Sequence, residues 1–197
     1  MGRQIPSICY RCLDYLNKTG AIFEEGIFRL SGSASTIRQL KDQFNTQYDL
    51  DLLKCALKPD IHTVAGLFKS YLRELPNPIL GLNAYSHLNG VILHNTSSMP
   101  PSSIAAIFRD YFNDPENVDK IHYDITYVIF KFLRQVISQH PINRMNLRNV
   151  CIVFVPTLNI SLEVLSTFLV DFECIFENGK PISDANREVL DVNIPNF

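Results

Sequence analysis

The sequence has no tryptophan, only eight glycines, and no apolar run of the about 18 residues that a membrane-spanning helix requires. We therefore expect no transmembrane segment. It also has no excess of basic residues, because 18 Lys and Arg stand against 20 Asp and Glu, a net charge of −2. Proteins that bind nucleic acid through its phosphates usually carry a clear positive charge. The composition argues against a nucleic-acid partner and leaves any basic function to a few placed side chains.

Motifs of independent active sites are missing as well. There is no Gly-x-Ser-x-Gly elbow and no glycine-rich phosphate loop ending in lysine. The five histidines do not stand at metal-ligand spacing from one another. We therefore expect this chain to bind no metal and no cofactor of its own.

Five cysteines are scattered through apolar segments of the chain. The spacing of Cys9 and Cys12 fits half a zinc site or a thioredoxin-like redox motif. No second pair follows at the spacing of a zinc ribbon, and the βαβ pattern that the redox motif needs is absent. On a helix these two residues share a face. We expect reduced cysteines in a helical core, which fits an intracellular compartment.

Apolar residues at helical spacing run through most of the chain. They recur every three or four positions from Ile8 to Leu16, from Ile104 to Tyr111 and from Ile121 to Ile137. Strand-like alternation is brief and lies near residues 27–30. The sequence predicts one all-α domain, 1–197, of about seven to nine helices. Its core covers about residues 5–176, and residues 177–197 form a tail or a segment that packs in a wider context.

Capping residues predict where two helices of the first half begin. Ser33 is suited to cap a helix through residue 44, and Thr63 a helix through residue 72, which Pro76 ends. On the second helix Lys69 and Arg73 lie one turn apart, opposite the apolar stripe. The pattern predicts an exposed basic ridge, although such a pair is often an ordinary solvated face.

Asn146 is suited to cap a helix over residues 147–154 that Pro156 terminates. Asn149 falls in the first turn of this helix, where its side chain can bond to the backbone or to a partner. Capping alone would also explain both asparagines. A last helix is predicted after Ser161, extending to Phe176.

The segment Glu-Gly-Ile-Phe-Arg-Leu-Ser-Gly at residues 25–32 places Arg29 among three apolar residues, with a glycine on either side. Ile27, Phe28 and Leu30 can anchor the segment in a core, while the glycines permit backbone angles that other residues avoid. We expect a loop that holds the guanidinium at a fixed position and points it outwards. Considered alone, a single loop arginine is more often simply solvated.

Three segments, in this order, resemble the Rho GTPase-activating (RhoGAP) domain family. They are Gly-Ile-Phe-Arg-x-Ser-Gly around Arg29, Lys-Ser-Tyr-Leu-Arg-Glu-Leu-Pro at 69–76, and Asn-Arg-Met-Asn-Leu-Arg-Asn at 143–149 with the apolar run to Pro156. The resemblance extends from about Ile5 to about Phe176. The run over residues 149–160 is similar to fungal RhoGAPs of the polarity pathway.

The resemblance implies a helical bundle that activates a Rho-family small GTPase in its GTP-bound state. Arg29 matches the catalytic arginine finger of the family. Matches to the GTPase-binding surface, or to residues that shape its groove, are Lys69, Arg73, Asn143, Asn149 and Pro156.

On this interpretation the protein is not an enzyme by itself, because the nucleotide and Mg²⁺ come with the partner. The resemblance implies a role in signal transduction and cell polarity. It also implies a cytoplasmic location, with recruitment to the inner membrane surface by other domains. The alternative is a non-catalytic GTPase-binding module, against which the intact arginine motif argues.

Two positions depart from the family's common pattern. Val155 precedes the proline where glycine is common, and Thr157 follows it where asparagine is frequent. We expect the bulkier Val155 to alter how this region approaches the partner. Such a change would affect specificity more than activity.

Overall fold

A computed structural model describes residues 2–95 and 98–187, and over these residues the protein is all-α with no strand. This described part contains ten α-helices and two 3₁₀ turns, Ala21–Phe23 and Asp184–Asn186. The helices are α1 Ser7–Lys18, α2 Ala34–Gln47, α3 Ile61–Arg73, α4 Leu82–Asn95, α5 Pro101–Phe112, α6 Lys120–Ser138, α7 His140–Asn143, α8 Leu147–Leu158, α9 Leu162–Val170 and α10 Phe172–Phe176. The predicted all-α class is confirmed. None of the helices in this described part is long and apolar enough to cross a membrane.

The ten helices of the described residues exceed the predicted seven to nine, because two helices were missed and two others were predicted as one. Helices α4 and α7 were not predicted. The predicted helix from Ser161 to Phe176 is broken at Asp171, which separates α9 from α10. The residues near 27–30 with strand-like alternation form turns instead.

The helix caps are partly as predicted. Ser33 and Asn146 cap α2 and α8, each accepting a hydrogen bond from a backbone N–H in the first turn. The predicted cap at Thr63 is wrong, because α3 begins one turn earlier and Asp60 Oδ1 accepts from the Thr63 N–H at 2.7 Å. The Thr63 hydroxyl oxygen instead accepts from the Ser33 N–H at 3.0 Å. This bond joins the start of α2 to the start of α3.

The predicted end of α8 at Pro156 is also wrong. The helix continues through the proline to Leu158, and Asn159 ends it with a φ of 53°. Proline has no N–H, so the Ile152 carbonyl loses its usual helical partner. The next residue, Thr157, donates its hydroxyl to the Val153 carbonyl at 2.7 Å, which is the acceptor next to that of Ile152.

The part of the core around Phe28 is aromatic. The Phe28 ring is fully buried and lies 6.3, 6.0 and 5.0 Å from the rings of Phe68, Phe132 and Phe154, measured between centroids. These partners come from α3, α6 and α8. All five cysteines are buried, as predicted, and burial raises the pKa of the Cys9 thiol to about 12.

Both ends of the described chain are tied to the helical body. Near the first end, the buried Asp124 of α6 accepts from the Gln4 N–H at 2.8 Å and from Arg3 at 3.2 Å. At the other end, the Arg187 guanidinium donates to both carboxylate oxygens of Asp171, at 2.6 and 2.8 Å. Residues 177–187 of the predicted tail thus fold back on the bundle.

Candidate functional site

Residues 24–32, here called the arginine loop, connect the first 3₁₀ turn to α2 and carry Arg29. The Gly26 N–H donates to the Asn143 carbonyl at 2.8 Å. The Gly26 carbonyl in turn accepts from the N–H groups of Arg29 and Leu30, at 2.8 and 2.9 Å. Gly26 and Phe28 both have a φ of 67°. Such a conformation costs a residue other than glycine about 1–3 kcal/mol, so the surroundings of Phe28 must hold it in place.

Two contacts fix the backbone at Phe28. Its ring is enclosed by three phenylalanines of the core, and its carbonyl accepts a hydrogen bond from the Lys69 ammonium of α3. Ile27 is fully buried too, as predicted. Leu30 is not the predicted anchor, because 48% of it is exposed. The apolar side chains that anchor the loop in the core therefore lie on the N-terminal side of Arg29.

The first turn of α3 holds both ends of the arginine loop. At the entry, Glu24 Oε1 lies 3.2 Å from His62 Nε2. At the exit, Gly32 packs so closely that an added Cβ would lie 2.3 Å from the backbone of Thr63. Only glycine fits at this approach, so the loop and α3 behave as one unit.

The side chain of Arg29 is exposed and forms neither an ion pair nor a hydrogen bond with any described residue. This is the outward guanidinium on a fixed backbone that the sequence predicts. A cation in this setting is available to an anionic group that approaches from outside.

The basic ridge of α3 differs from the prediction at one of its two positions. Arg73 is exposed, but Lys69 is half-buried because its ammonium reaches the Phe28 carbonyl. Burial lowers the pKa of Lys69, and the neighbouring Arg73 guanidinium lowers it further. Lys69 therefore braces the arginine loop while adding a positive charge beside it.

Asn143, which was predicted to belong to the GTPase-binding set and to shape its groove, is 0% exposed, so its side chain does not reach the surface. Its amide nitrogen donates to the Ile22 and Val136 carbonyls at 2.7 and 2.8 Å, and its side-chain oxygen accepts from the Met145 N–H at 2.7 Å. With its own carbonyl bound to Gly26, the residue links the arginine loop to the first 3₁₀ turn, to α6 and to the residue at position 145 just before α8.

A groove of about 420 Å³ lies between α3, α8 and the arginine loop. It is lined by Phe28, Arg29, Lys69, Arg73, Ile152, Val153, Pro156 and Thr157. The groove brings together four of the predicted site residues from three separate segments. Its walls combine positive charge with apolar surface.

Asn149 lies apart from the groove lining, and its amide nitrogen donates to the Arg144 carbonyl at 2.8 Å. Val155 does not line the groove either; it packs against the core instead. Sequence reasoning missed Ile152 and Val153, and it also missed the exposed Arg144 and Arg148 nearby. The spacing could have revealed Arg148, because it precedes Ile152 by four residues and the two therefore share one face of the helix.

Comparison with known families decides what this arrangement is. The family model described as the RhoGAP domain matches residues 6–162. The chain belongs to the RhoGAP domain family. The RhoGAP resemblance found in the sequence is therefore confirmed.

Curated relatives agree with this assignment. The RhoGAP chain is 38% identical over 204 residues to GTPase-activating protein BEM3 of Saccharomyces cerevisiae, covering 97% of this chain and 18% of that protein. It is 31% identical over 197 residues to Rho GTPase-activating protein 68F of Drosophila melanogaster, covering 96% of this chain and 39% of the relative. The predicted likeness to fungal RhoGAPs is confirmed, and the chain spans well under half the length of these relatives.

A solved structure shows the same fold. The crystal structure of human Rho GTPase activating protein 15 matches with a TM-score of 0.72 and 24% sequence identity, covering 87% of this chain and 84% of that one. The helical arrangement that forms the groove is thus the RhoGAP fold.

Proposed function

We propose that this RhoGAP domain accelerates GTP hydrolysis by a Rho-family small GTPase in its GTP-bound state, with Arg29 inserted as an arginine finger. One observation carries the proposal: the Arg29 side chain is exposed and unpaired among the described residues, while its backbone is held by the buried Phe28 ring. A fixed backbone limits the entropy lost when the guanidinium enters a second active site.

The chemistry needs such a cation. Water attacks the γ-phosphorus, the bond to the β–γ bridging oxygen breaks, and negative charge spreads over the transferring phosphoryl group and the leaving GDP. A guanidinium is always ionised and offers a planar fork of donors to these oxygens. An arginine finger contributes about 10³–10⁵ to the rate. Nucleotide, Mg²⁺ and the water-orienting glutamine belong to the GTPase, so this domain is an activator and not a stand-alone enzyme.

The other site residues divide into contacts and supports. We assign Arg73 and Pro156, which lie in the groove, to direct contact with the GTPase. Asn149 can present its side-chain oxygen to the partner while its nitrogen holds the Arg144 carbonyl. Lys69 and Asn143 act on the arginine loop through the backbone atoms that they bind.

The names of the relatives support this assignment, since both the yeast and the fly protein are called GTPase-activating proteins. Because this chain matches only part of each relative, we propose that further domains determine where in the cell the RhoGAP domain acts. Such domains would recruit it from the cytoplasm to the inner membrane surface, in signalling for cell polarity.

A single-turnover hydrolysis assay tests the proposal. A panel of Rho, Rac and Ras GTPases is loaded with GTP, and phosphate release is followed with and without the domain. We expect acceleration for a Rho-family member and almost none for Ras. Equal acceleration of Ras, or none for any Rho-family protein, would contradict the proposal. Tight binding to GTP-loaded protein without acceleration would support a non-catalytic binding module instead.

A further inference from the structure

Unpaired positive charge is concentrated around the groove. Many Lys and Arg side chains elsewhere form ion pairs, such as Arg11 with Asp49 and Arg134 with Glu173. Five cations at or beside the groove have no ion pair with any described residue. They are Arg29, Lys69, Arg73, Arg144 and Arg148. The other unpaired cations are dispersed, on α2 (Arg38), in the loop before α3 (Lys58) and after α10 (Lys180).

Arg148 lies on the groove side of α8. It stands one helical turn before Ile152, which lines the groove, so the two share a helix face. Arg148 is exposed, whereas Ile152 is half-buried. The guanidinium therefore continues the groove wall towards the start of α8.

Arg144 lies in the turn between α7 and α8, directly after the residue that holds the arginine loop. Its φ is 62°, and its carbonyl accepts from the Asn149 side chain at 2.8 Å. The preceding Asn143 carbonyl accepts from the Gly26 N–H. The backbone under this exposed arginine is thus fixed next to the base of the arginine loop.

Carboxylates on the same side neutralise these charges only in part. Glu24 is bound to His62, and Glu74 is bound to the Lys41 ammonium while it also interacts electrostatically with Arg73. The Glu25 carboxylate is exposed and has no ion pair among the described residues. This side of the molecule is therefore positive, although the whole chain has a net charge of −2.

We propose that Arg144 and Arg148 extend the docking surface beyond the groove and bind an acidic patch on the surface of the partner GTPase. The inference rests on the proposed function, since it names a second contact region of that same partner. Arg144 and Arg148 add attraction during the encounter, and Arg29 acts on the phosphoryl group afterwards.

The composition of the surface favours a folded protein over a nucleic acid or a membrane. Apolar side chains of Ile152, Val153 and Pro156 stand between the cations, which is the mixture found in protein interfaces. A long polyanion would in addition meet the negative charge of the rest of the molecule.

The test compares Arg144→Glu and Arg148→Glu with the control Lys180→Glu, which makes the same change of charge on an exposed cation after α10. Association with a GTP-loaded Rho-family protein is measured by stopped flow at several salt concentrations. We expect each groove-side variant to lower the association rate constant about tenfold at low salt and to weaken its salt dependence. The control should match the unmodified domain. The loss in association should exceed any loss in maximal hydrolysis rate.

Arg144→Asn and Arg148→Gln remove the charge and should disturb the fold little. At position 144 asparagine is suitable because it tolerates a positive φ. They should show a smaller loss in the same direction. Unchanged association in all four variants, with hydrolysis still accelerated by the unmodified domain, would overturn this inference and leave the proposed function standing.

Other results separate the two proposals. Charge-dependent binding to the GTPase without acceleration would support the docking surface and contradict the finger mechanism. No binding to any Rho-family protein would overturn both. If the domain instead binds vesicles of phosphatidylcholine and phosphatidylserine, or single-stranded DNA, and the two glutamate variants abolish this, the surface serves an anionic polymer or membrane and the inference is wrong.

Discussion

Phe28 adopts a left-handed backbone conformation immediately before the exposed Arg29. Full burial of a phenylalanine side chain contributes about 1.5–3 kcal/mol, similar in size to the backbone strain of about 1–3 kcal/mol. The guanidinium cannot swing away with its backbone unless the ring leaves its place among Phe68, Phe132 and Phe154. At the scale of one residue, the position of the cation is therefore set by an apolar neighbour.

We expect Arg29→Ala to lower the maximal rate of stimulated hydrolysis by about 10²–10⁴, which corresponds to about 3–5.5 kcal/mol of transition-state stabilisation. Binding to the GTP-loaded partner should persist through Arg73 and the groove, while extra affinity for the GDP–aluminium fluoride complex should be lost. Arg29→Lys should recover only part of the rate, since a point charge does not replace the planar fork. Near-normal turnover by a folded Arg29→Ala domain would place catalysis elsewhere.

Because Arg29 has no partner among the described residues, its replacement should leave the midpoint of thermal unfolding almost unchanged. This measurement is the folding control for the rate experiment.

Asn143→Ala should act on stability. It removes three hydrogen bonds and leaves the Ile22 carbonyl and the Met145 N–H without their partner, while the Val136 carbonyl keeps its bond from the Gln139 N–H at 3.1 Å. We expect the free energy of unfolding to fall by about 3 kcal/mol, as measured by urea titration. Asn149→Ala, which removes one side-chain bond at a half-buried site, should cost about 1 kcal/mol. Equal effects of the two substitutions would contradict the bracing role of Asn143.

At the scale of elements, α3 organises the site, because its first turn holds the arginine loop and its last turns carry Lys69 and Arg73. Gly32 is the point of closest approach between the loop and this helix. A change at Gly32 therefore tests whether the two elements must touch for the site to work.

Gly32→Ala should lower both stability and stimulated hydrolysis, since the new Cβ would lie 2.3 Å from the backbone of Thr63. Gly90→Ala is the matched control. Gly90 lies inside α4, and a Cβ added there would have no neighbouring atom within 4 Å. The control should raise the free energy of unfolding by about 0.5–1 kcal/mol through helix propensity and leave hydrolysis unchanged. If Gly32→Ala behaved like the control, the loop would not depend on this approach.

The sequence predicted the elements that depend on local patterns. Ser33 and Asn146 cap helices as expected, since capping involves residues three positions away. Helix α4 was missed because several of its apolar residues face solvent, among them Leu82 and Leu93. The prediction that Pro156 ends α8 was wrong, because tertiary packing maintains the helix although one of its backbone hydrogen bonds is missing.

The family motifs single out Arg29 and Arg73, and the structure places both of these residues in the lining of one groove. The site was not predictable where distant backbone atoms decide the role of a side chain. Periodicity placed Lys69 away from the core, yet its ammonium reaches the carbonyl of Phe28, 41 residues earlier in the chain. No local pattern reveals such a bond.

At the scale of the whole molecule, the buried carboxylate of Asp124 ties the first residues to the bundle and makes stability depend on pH. Burial would raise the pKa of Asp124, but the Lys120 ammonium and the Gln4 N–H, with Arg3 nearby, outweigh burial and hold this pKa below its usual 3.8. A carboxyl of this kind stabilises the fold above its unfolded pKa, and the contribution is lost as the pH falls through the folded pKa.

We therefore expect the free energy of unfolding to decrease as the pH falls below about 5, and Asp124→Asn to make this decrease shallower. Urea titrations at a series of pH values measure it, with Glu116→Gln as the control for loss of one exposed, unpaired carboxylate. Asp124→Asn should also be less stable than the unmodified domain at neutral pH. If the free energy of unfolding fell equally with pH in Asp124→Asn and in the unmodified domain, the carboxylate of Asp124 would not contribute to the pH dependence of stability.

The bond between Asn143 and the Ile22 carbonyl spans 121 residues of sequence. Contacts of such separation form late, after the intervening chain has collapsed, and during synthesis they wait for the distal segment to leave the ribosome. The Gly-Ile-Phe-Arg motif is thus translated long before the α7–α8 turn that fixes it. A nascent or truncated chain can carry the complete motif and still lack a positioned arginine, so Arg29 is held in place only when the last third of the domain has folded.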